Sequence, residues 1–205
     1  MEFVKRQIPQ NKNIVLLDAN CEVFRLFKYR SDLILNNEAR MFLDYEDLVM
    51  VVRSAPLISI DLIIENEDGE FLLGKRCNRP AQGYWFVPGG RIYKDETFKE
   101  AFSRITEKEI GVNLDIKLGT FYGIWQHFYK DNFSSENFST HYVVIAFKIK
   151  LMLSDIPLPK LQHDEWKWFS PELAMICNEV HENTRAYFRT NNNFVGLNEE
   201  RACDV

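Results

Sequence analysis

No stretch of this chain approaches the roughly twenty consecutive apolar residues that a helix needs to cross a bilayer, so no membrane-spanning segment is expected. The opening run, Met1 to Gln10, has no apolar core of the signal-peptide kind, and the protein is expected to stay in the cytoplasm where it is made. Cysteine is scarce and scattered: Cys21, Cys77, Cys177 and Cys203 have no metal-type spacing and read as reduced thiols. Positive charge is not in excess. Twenty-five Lys and Arg against 30 Asp and Glu give a net charge of −5, which argues against a general nucleic-acid binder, whose surface is normally basic. A local cluster of arginines could still hold a phosphate. No internal repeat is visible.

What is present suits one globular domain. The chain has 205 residues, 46% of them hydrophobic and 27% charged, enough for a sizeable core. Residues 1–40 carry no motif; Ile14–Leu17 reads as a strand and Glu22–Tyr29 as a short helix. From Leu57 to Asn66 the aliphatics Ile58, Ile60, Leu62 and Ile64 alternate as on one face of a strand, with Asp61 on the other, mixed face. Glu67-Asp68-Gly69 supplies a turn, and Glu70 to Arg76 returns as the second strand of a hairpin. Further strands are expected at Tyr84–Val87, Leu114–Lys117, Phe121–Tyr129, Tyr142–Ile149 and Trp166–Phe169. Lys130 to Thr140 is a long polar loop and a candidate lid. Ser170-Pro171-Glu172 starts a helix, since proline fits the first helical turn. Asn183–Arg189 is a last helix, followed by a polar tail from Thr190. Strands interleaved with helices imply a mixed α/β architecture.

The most informative stretch runs from Gly89 to Val112. A tight glycine turn feeds a helix for which Asp95 is the expected N-cap and Gly111 the left-handed C-terminal residue. Phe98, Ala101, Phe102 and Ile105 define one buried stripe, and its next turn falls on Glu109. Glu96, Glu100 and Glu107 fall on the solvated side. A carboxylate on an inward stripe needs a partner, because an unpaired buried charge is prohibitively expensive. That partner is either an arginine or a divalent cation bound through hard oxygens. The pair Gly89-Gly90, which lets the backbone approach a ligand closely, favours the cation.

Gly90, Glu96, Arg104 and the run Glu109-Ile110-Gly111-Val112 resemble the Nudix box, the strand–loop–helix that binds a metal diphosphate. Two acids of the common box are replaced, by Ile105 directly after the arginine and by Lys108 before Glu109. The flanks Gly74–Arg91, Phe121–Tyr129 and Gln162-His163-Asp164 are similar to the GDP-mannose mannosyl hydrolases, a subfamily that departs from the box at those same positions. The similarity spans residues 41–196, with 1–40 as an N-terminal extension, or an upstream start ahead of an initiator at Met41, and 197–205 as the tail.

The resemblance implies a Nudix fold, a mixed β-sheet sandwiched between α-helices, in a homodimer. It implies Mg²⁺-dependent hydrolysis of GDP-mannose, with GDP-glucose as a further substrate, to GDP and free hexose. Water would attack the anomeric carbon with inversion. One Mg²⁺ per subunit, with Mn²⁺ able to substitute, would be held by Glu109, the Gly89 carbonyl and Gln162. Arg76 and Arg91 would grip the diphosphate, where the forked guanidinium suits paired oxygens. His127 and Tyr142 would contact the diphosphate or leaving group, and Asp61 the guanine base, whose adjacent N–H donors one carboxylate can accept. His163 would be the general base, since imidazole accepts a proton near neutral pH. Arg79 reads as solvated charge, and Trp125 and Phe128 as packing residues. The alternatives are a pyrophosphohydrolase giving GMP and sugar phosphate, and a catalytically silent nucleotide-sugar-binding regulator.

Overall fold

The computed structural model describes residues 43–134, 137–151, 158–159 and 163–189. The strand and helix expected at Ile14–Leu17 and Glu22–Tyr29, Gln162, and the tail from Thr190 lie outside the described residues. Seven strands form one mixed sheet: β1 (Leu57–Glu65), β2 (Phe71–Arg76), β3 (Trp85–Phe86), β4 (Gly89–Arg91), β5 (Thr120–Tyr129), β6 (Thr140–Lys150) and β7 (His163–Phe169). Its order is β3-β2-β1-β6-β5, with β4 pairing β1 and β7 pairing β2. β1 and β6 run parallel over nine residue pairs, from Leu57↔Tyr142 to Glu65↔Lys150. β5 and β6 are antiparallel.

The helices are α1 (Tyr45–Ser54), α2 (Phe98–Ile110), α3 (Pro171–Ile176) and α4 (Glu182–Phe188). Because successive strand residues face opposite ways, β1 feeds two cores. Ile60, Leu62 and Ile64 pack with Ala101, Phe102, Ile105 and Ile110 of α2. Ile63, with Leu73, Val144 and Ala146, packs with Ala174 of α3 and Ala186 and Tyr187 of α4. The sheet is thus covered on both faces, as the resemblance implies. A smaller cluster joins Leu48 and Val52 of α1 to Leu57, with Phe133, Phe138 and Tyr142 packed against it.

Several local expectations change. β1 is central, so Asp61 is 6% exposed, not on a surface face, while Ile58 at the strand's start is 51% exposed. Gly89-Gly90 is a strand, β4, and not a free turn; it pairs with Ser59 to Asp61. A Cβ on Gly89 would lie 2.6 Å from Asp61 Oδ1, and one on Gly90 3.2 Å from Ile105 of α2. Glycine is required here because β4 threads between β1 and α2. Leu114–Lys117 forms no strand; a short 3₁₀ turn, Ile116–Leu118, takes its place, capped by Asp115. The loop expected as a lid is pinned in its described part. Asn132 bonds the Phe138 carbonyl (2.6 Å) and the Ser134 amide (2.7 Å), and Tyr45 and Arg53 of α1 contact Phe133 and Phe138.

Candidate active site

Helix α2 carries the box residues, and its ends explain their aim. Thr97, not Asp95, is the N-cap, in a capping box with Glu100. Asp95 sits in a left-handed turn at φ 63. Gly111 ends the helix at φ 75, as expected of a C-terminal glycine. In this frame Phe98 is 56% exposed and falls off the stripe, whereas Ala101, Phe102, Ile105 and Glu109 are buried. Glu96 is not solvated. Its carboxylate holds Arg104 at 2.6 and 2.8 Å, and Arg104 also donates to the Arg91 carbonyl at 2.8 Å and lies over the Tyr93 ring. That clamp ties the end of β4 to the middle of α2 and commits both charges to structure.

Glu109 is 3% exposed, and its Oε2 lies 3.5 Å from His163 Nε2. His163 is 2% exposed. It packs flat on β2, where a Cβ on Gly74 would lie 2.4 Å from its Cγ, and its ring sits 4.5 Å from that of Trp166. Its Nδ1 has no hydrogen-bond partner among the described residues. His163 therefore meets the site through Glu109, while the next residue, Asp164, is exposed and lines the cleft.

A cleft of about 570 Å³ brings together Asp61, Arg76, Gly89, Arg91, Glu109, His127 and Tyr142 of the expected site residues. Its far wall is apolar, from Leu48, Val52 and Phe133. The arginines divide sharply. Arg104 is spent on Glu96, and exposed Arg79 on Asp131 at 2.9 Å. Arg76 and Arg91 make no ion pair among the described residues; Arg76 Nε is buried without a partner, and the guanidinium carbons lie 5.7 Å from the Phe86 centroid and 5.9 Å from the Tyr93 centroid. Two uncommitted guanidinium groups on one cleft suit an anion with several oxygens.

Asp61 lies on the cleft floor. Its Oδ2 accepts from the Tyr187 hydroxyl at 2.8 Å, and its Oδ1 is against Gly89. Burial pushes its carboxyl up to about 7; the Tyr187 hydrogen bond and the Arg76 charge pull it down, and Glu109 adds to the upward push. With Oδ2 held by Tyr187 and Oδ1 close to Gly89, Asp61 lines the cleft. Trp125 is buried in the core as expected, and Phe128 stacks on His141.

His127 is 2% exposed, and burial pushes its imidazole down to about 3, aided by neighbouring His181. His181 itself falls to about 4, through burial and the Arg76 charge. Both rings are therefore neutral at pH 7, so His127 cannot serve a diphosphate as a cation. Since both folded values lie below the ordinary 6.5, the unfolded chain takes up protons first on acidification and stability falls as pH falls, the raised Asp61 carboxyl offsetting part of the slope. The melting temperature is expected to be level above about pH 7 and to drop steadily from 6.5 toward 4. His127→Gln should flatten part of that slope. A melting temperature unchanged across this window would mean that the imidazoles are solvated.

Strand–loop–helix geometry, an inward carboxylate and two arginines without an ion pair among the described residues define an α/β domain whose cleft suits an anion. A NUDIX domain model matches residues 55–190, and the chain belongs to the Nudix hydrolase family. It is 41% identical over 123 residues to the low-salt glycan biosynthesis protein Agl8 of Haloferax volcanii, covering 59% of this chain and 75% of that protein. An ADP-ribose pyrophosphatase of Methanocaldococcus jannaschii is 39% identical over 62 residues, 30% of this chain and 36% of that protein. Among solved structures, the MutT protein of Methanosarcina mazei Go1 superposes with a TM-score of 0.54 at 27% identity, covering 66% of this chain and 92% of the other. Among the described residues no helix is long and apolar enough to cross a membrane.

Proposed function

We propose that this Nudix domain, with boundaries at residues 41–196, hydrolyses GDP-mannose, and GDP-glucose as a second substrate, to GDP and free hexose by attack of water on the anomeric carbon with inversion. The observation that carries this reading is the division of charge in the cleft. Glu109 is the only carboxylate among the buried residues of α2, with Ile105 and Lys108 where the common box has further acids, while Arg76 and Arg91 make no ion pair among the described residues. A poor cluster of acids suits a reaction that leaves phosphorus alone. A diphosphate gripped by two arginines is a good leaving group. The likeness to a glycan biosynthesis protein supports an activated sugar as substrate.

The donor set fits Mg²⁺, with Mn²⁺ as substitute. Glu109 and the Gly89 carbonyl are hard oxygens, and the Glu109 charge already raises Asp61, so the floor has negative charge that a cation relieves. Gln162 is the third proposed donor. The cation would supply neutralisation of the diphosphate. Arg76 and Arg91 bind diphosphate oxygens; Tyr142 is proposed to contact the diphosphate, and neutral His127 a hydroxyl of the leaving group. Asp61 is proposed to contact the guanine base; its place beside Gly89 at the floor favours a second reading, in which it faces the reacting carbon, where an oxocarbenium-like state gains from a nearby carboxylate. His163 is the proposed base. Asp164 is the second reading for that role, since it opens onto the cleft and His163 does not.

A cytoplasmic homodimer is part of the same reading. Cys77 and Cys177 form no disulfide among the described residues. Among the described residues β5 is an edge strand with exposed Phe121 and Ile124, a surface that a second copy would cover. The test is to incubate the protein with GDP-mannose, GDP-glucose and GDP-fucose and identify the nucleotide released. GDP from the first two is expected. GMP would make it a pyrophosphohydrolase, and tight binding without turnover a regulator.

A further inference from the structure

Three polar groups from three elements meet under the cleft floor. The Tyr187 hydroxyl of α4 donates to Asp61 Oδ2 of β1 at 2.8 Å, and the Tyr187 hydroxyl oxygen lies 3.3 Å from His127 Nε2 of β5. Tyr187 and His127 are each 2% exposed, so solvent does not compete for these bonds. Helix α4 is held there by the Tyr187 ring, packed edge-on at 4.8 Å to Trp125 and 5.8 Å to His127. The Tyr122 hydroxyl secures the backbone by donating to the Tyr187 carbonyl at 2.8 Å.

We propose that Tyr187 is a positioning residue whose hydroxyl orients the Asp61 carboxylate and fixes His127 as its Nε2–H tautomer. The argument is one of proton count. The Tyr187 hydroxyl donates to Asp61 Oδ2 at 2.8 Å, and a tyrosine hydroxyl has one proton to give. With that proton on Asp61, the hydroxyl oxygen presents lone pairs to His127. A bare Nε2 would face them without a proton between, so Nε2 carries the N–H. The ring is kept neutral by burial and has only one N–H, which leaves Nδ1 as its acceptor atom. His127 can then take a hydrogen bond from a ligand hydroxyl through Nδ1 but has no N–H left to give a diphosphate. The helix that closes the domain thus sets the chemistry of two cleft residues from 126 and 60 positions away in sequence.

The kinetic arm of the test rests on the proposed reaction; the spectroscopic arm does not. ¹⁵N-histidine NMR of the full chain at mildly alkaline pH should give His127 a pyrrole-type Nε2 and a pyridine-type Nδ1. In Tyr187→Phe the ring is kept and the hydroxyl lost, and the His127 signals should move toward a mixture of tautomers. With GDP-mannose the same variant should lose roughly ten- to a hundredfold in kcat, with KM within about twofold, as for an interaction that matters mainly after binding. Tyr122→Phe, which loosens the same helix without touching the relay, should keep the wild-type tautomer and most of kcat. An Nδ1–H tautomer in the wild-type protein would reverse the relay and overturn the proposal. So would a Tyr187→Phe protein whose His127 signals are unchanged, or a Tyr122→Phe protein that behaves like Tyr187→Phe. A wild-type Nε2–H tautomer without turnover of GDP-sugars would sustain the relay and sink the substrate reading alone.

Discussion

Glu109→Gln is expected to cost at least about a hundredfold in activity and to weaken Mn²⁺ binding by as much, since changes one shell further out already cost 10–100-fold. The amide keeps the shape and loses the charge that draws a hard cation. The site gives the change few ways to be rescued. Glu109 is 3% exposed, and Ile105 and Lys108 fill the positions from which other acids would help. Glu107→Gln is the matched control, because Glu107 is exposed and bonds only Asn113 at 3.3 Å among the contacts it shows; it should stay within about 0.5 kcal/mol in stability and near wild type in rate. Equal losses in the two variants, with intact melting temperatures, would mean that Glu109 is not a ligand.

The second large effect belongs to the base. His163→Ala should slow turnover by roughly 10²–10⁴-fold, the usual range for a positioned general base, while Mn²⁺ affinity falls by no more than about tenfold. The metal arm matters because His163 Nε2 sits 3.5 Å from Glu109. A collapse of metal affinity would recast His163 as support for the ligand. Asp164→Asn separates the two candidate bases: a large loss there, with His163→Ala near wild type, would move the role to the residue that faces the cleft.

Local patterns were readable in the sequence where one element decides them. The stripe on α2 follows from the helical period, and Gly111 from its freedom at positive φ. Thr97 and Glu100 carry the capping-box spacing, but Asp95 is an equally good cap residue by type, and only its left-handed turn disqualifies it. Helix α1 was also within reach: Asp44 caps it, and Leu48, Val49 and Val52 give its buried face. What pairing across the chain decides was hidden. Asp61 stands on a mixed strand face in the sequence, and nothing near it reveals that β6, more than 80 residues on, runs beside β1. Glu96 looked solvated because its partner Arg104 is set by how β4 meets α2. Tyr187 carried no signal at all; its role exists only once α4 has docked. His163 was chosen for its type and motif, and the fold placed its ring against Glu109, away from the open cleft.

The central claim, attack at carbon and not at phosphorus, is tested most directly by the fate of the water oxygen. Turnover of GDP-mannose in ¹⁸O-water should place the label on the anomeric oxygen of the released hexose and none in the nucleotide, and NMR before mutarotation should show the inverted anomer. Label in phosphate, with GMP as the nucleotide product, would contradict the account and return the protein to phosphorus chemistry.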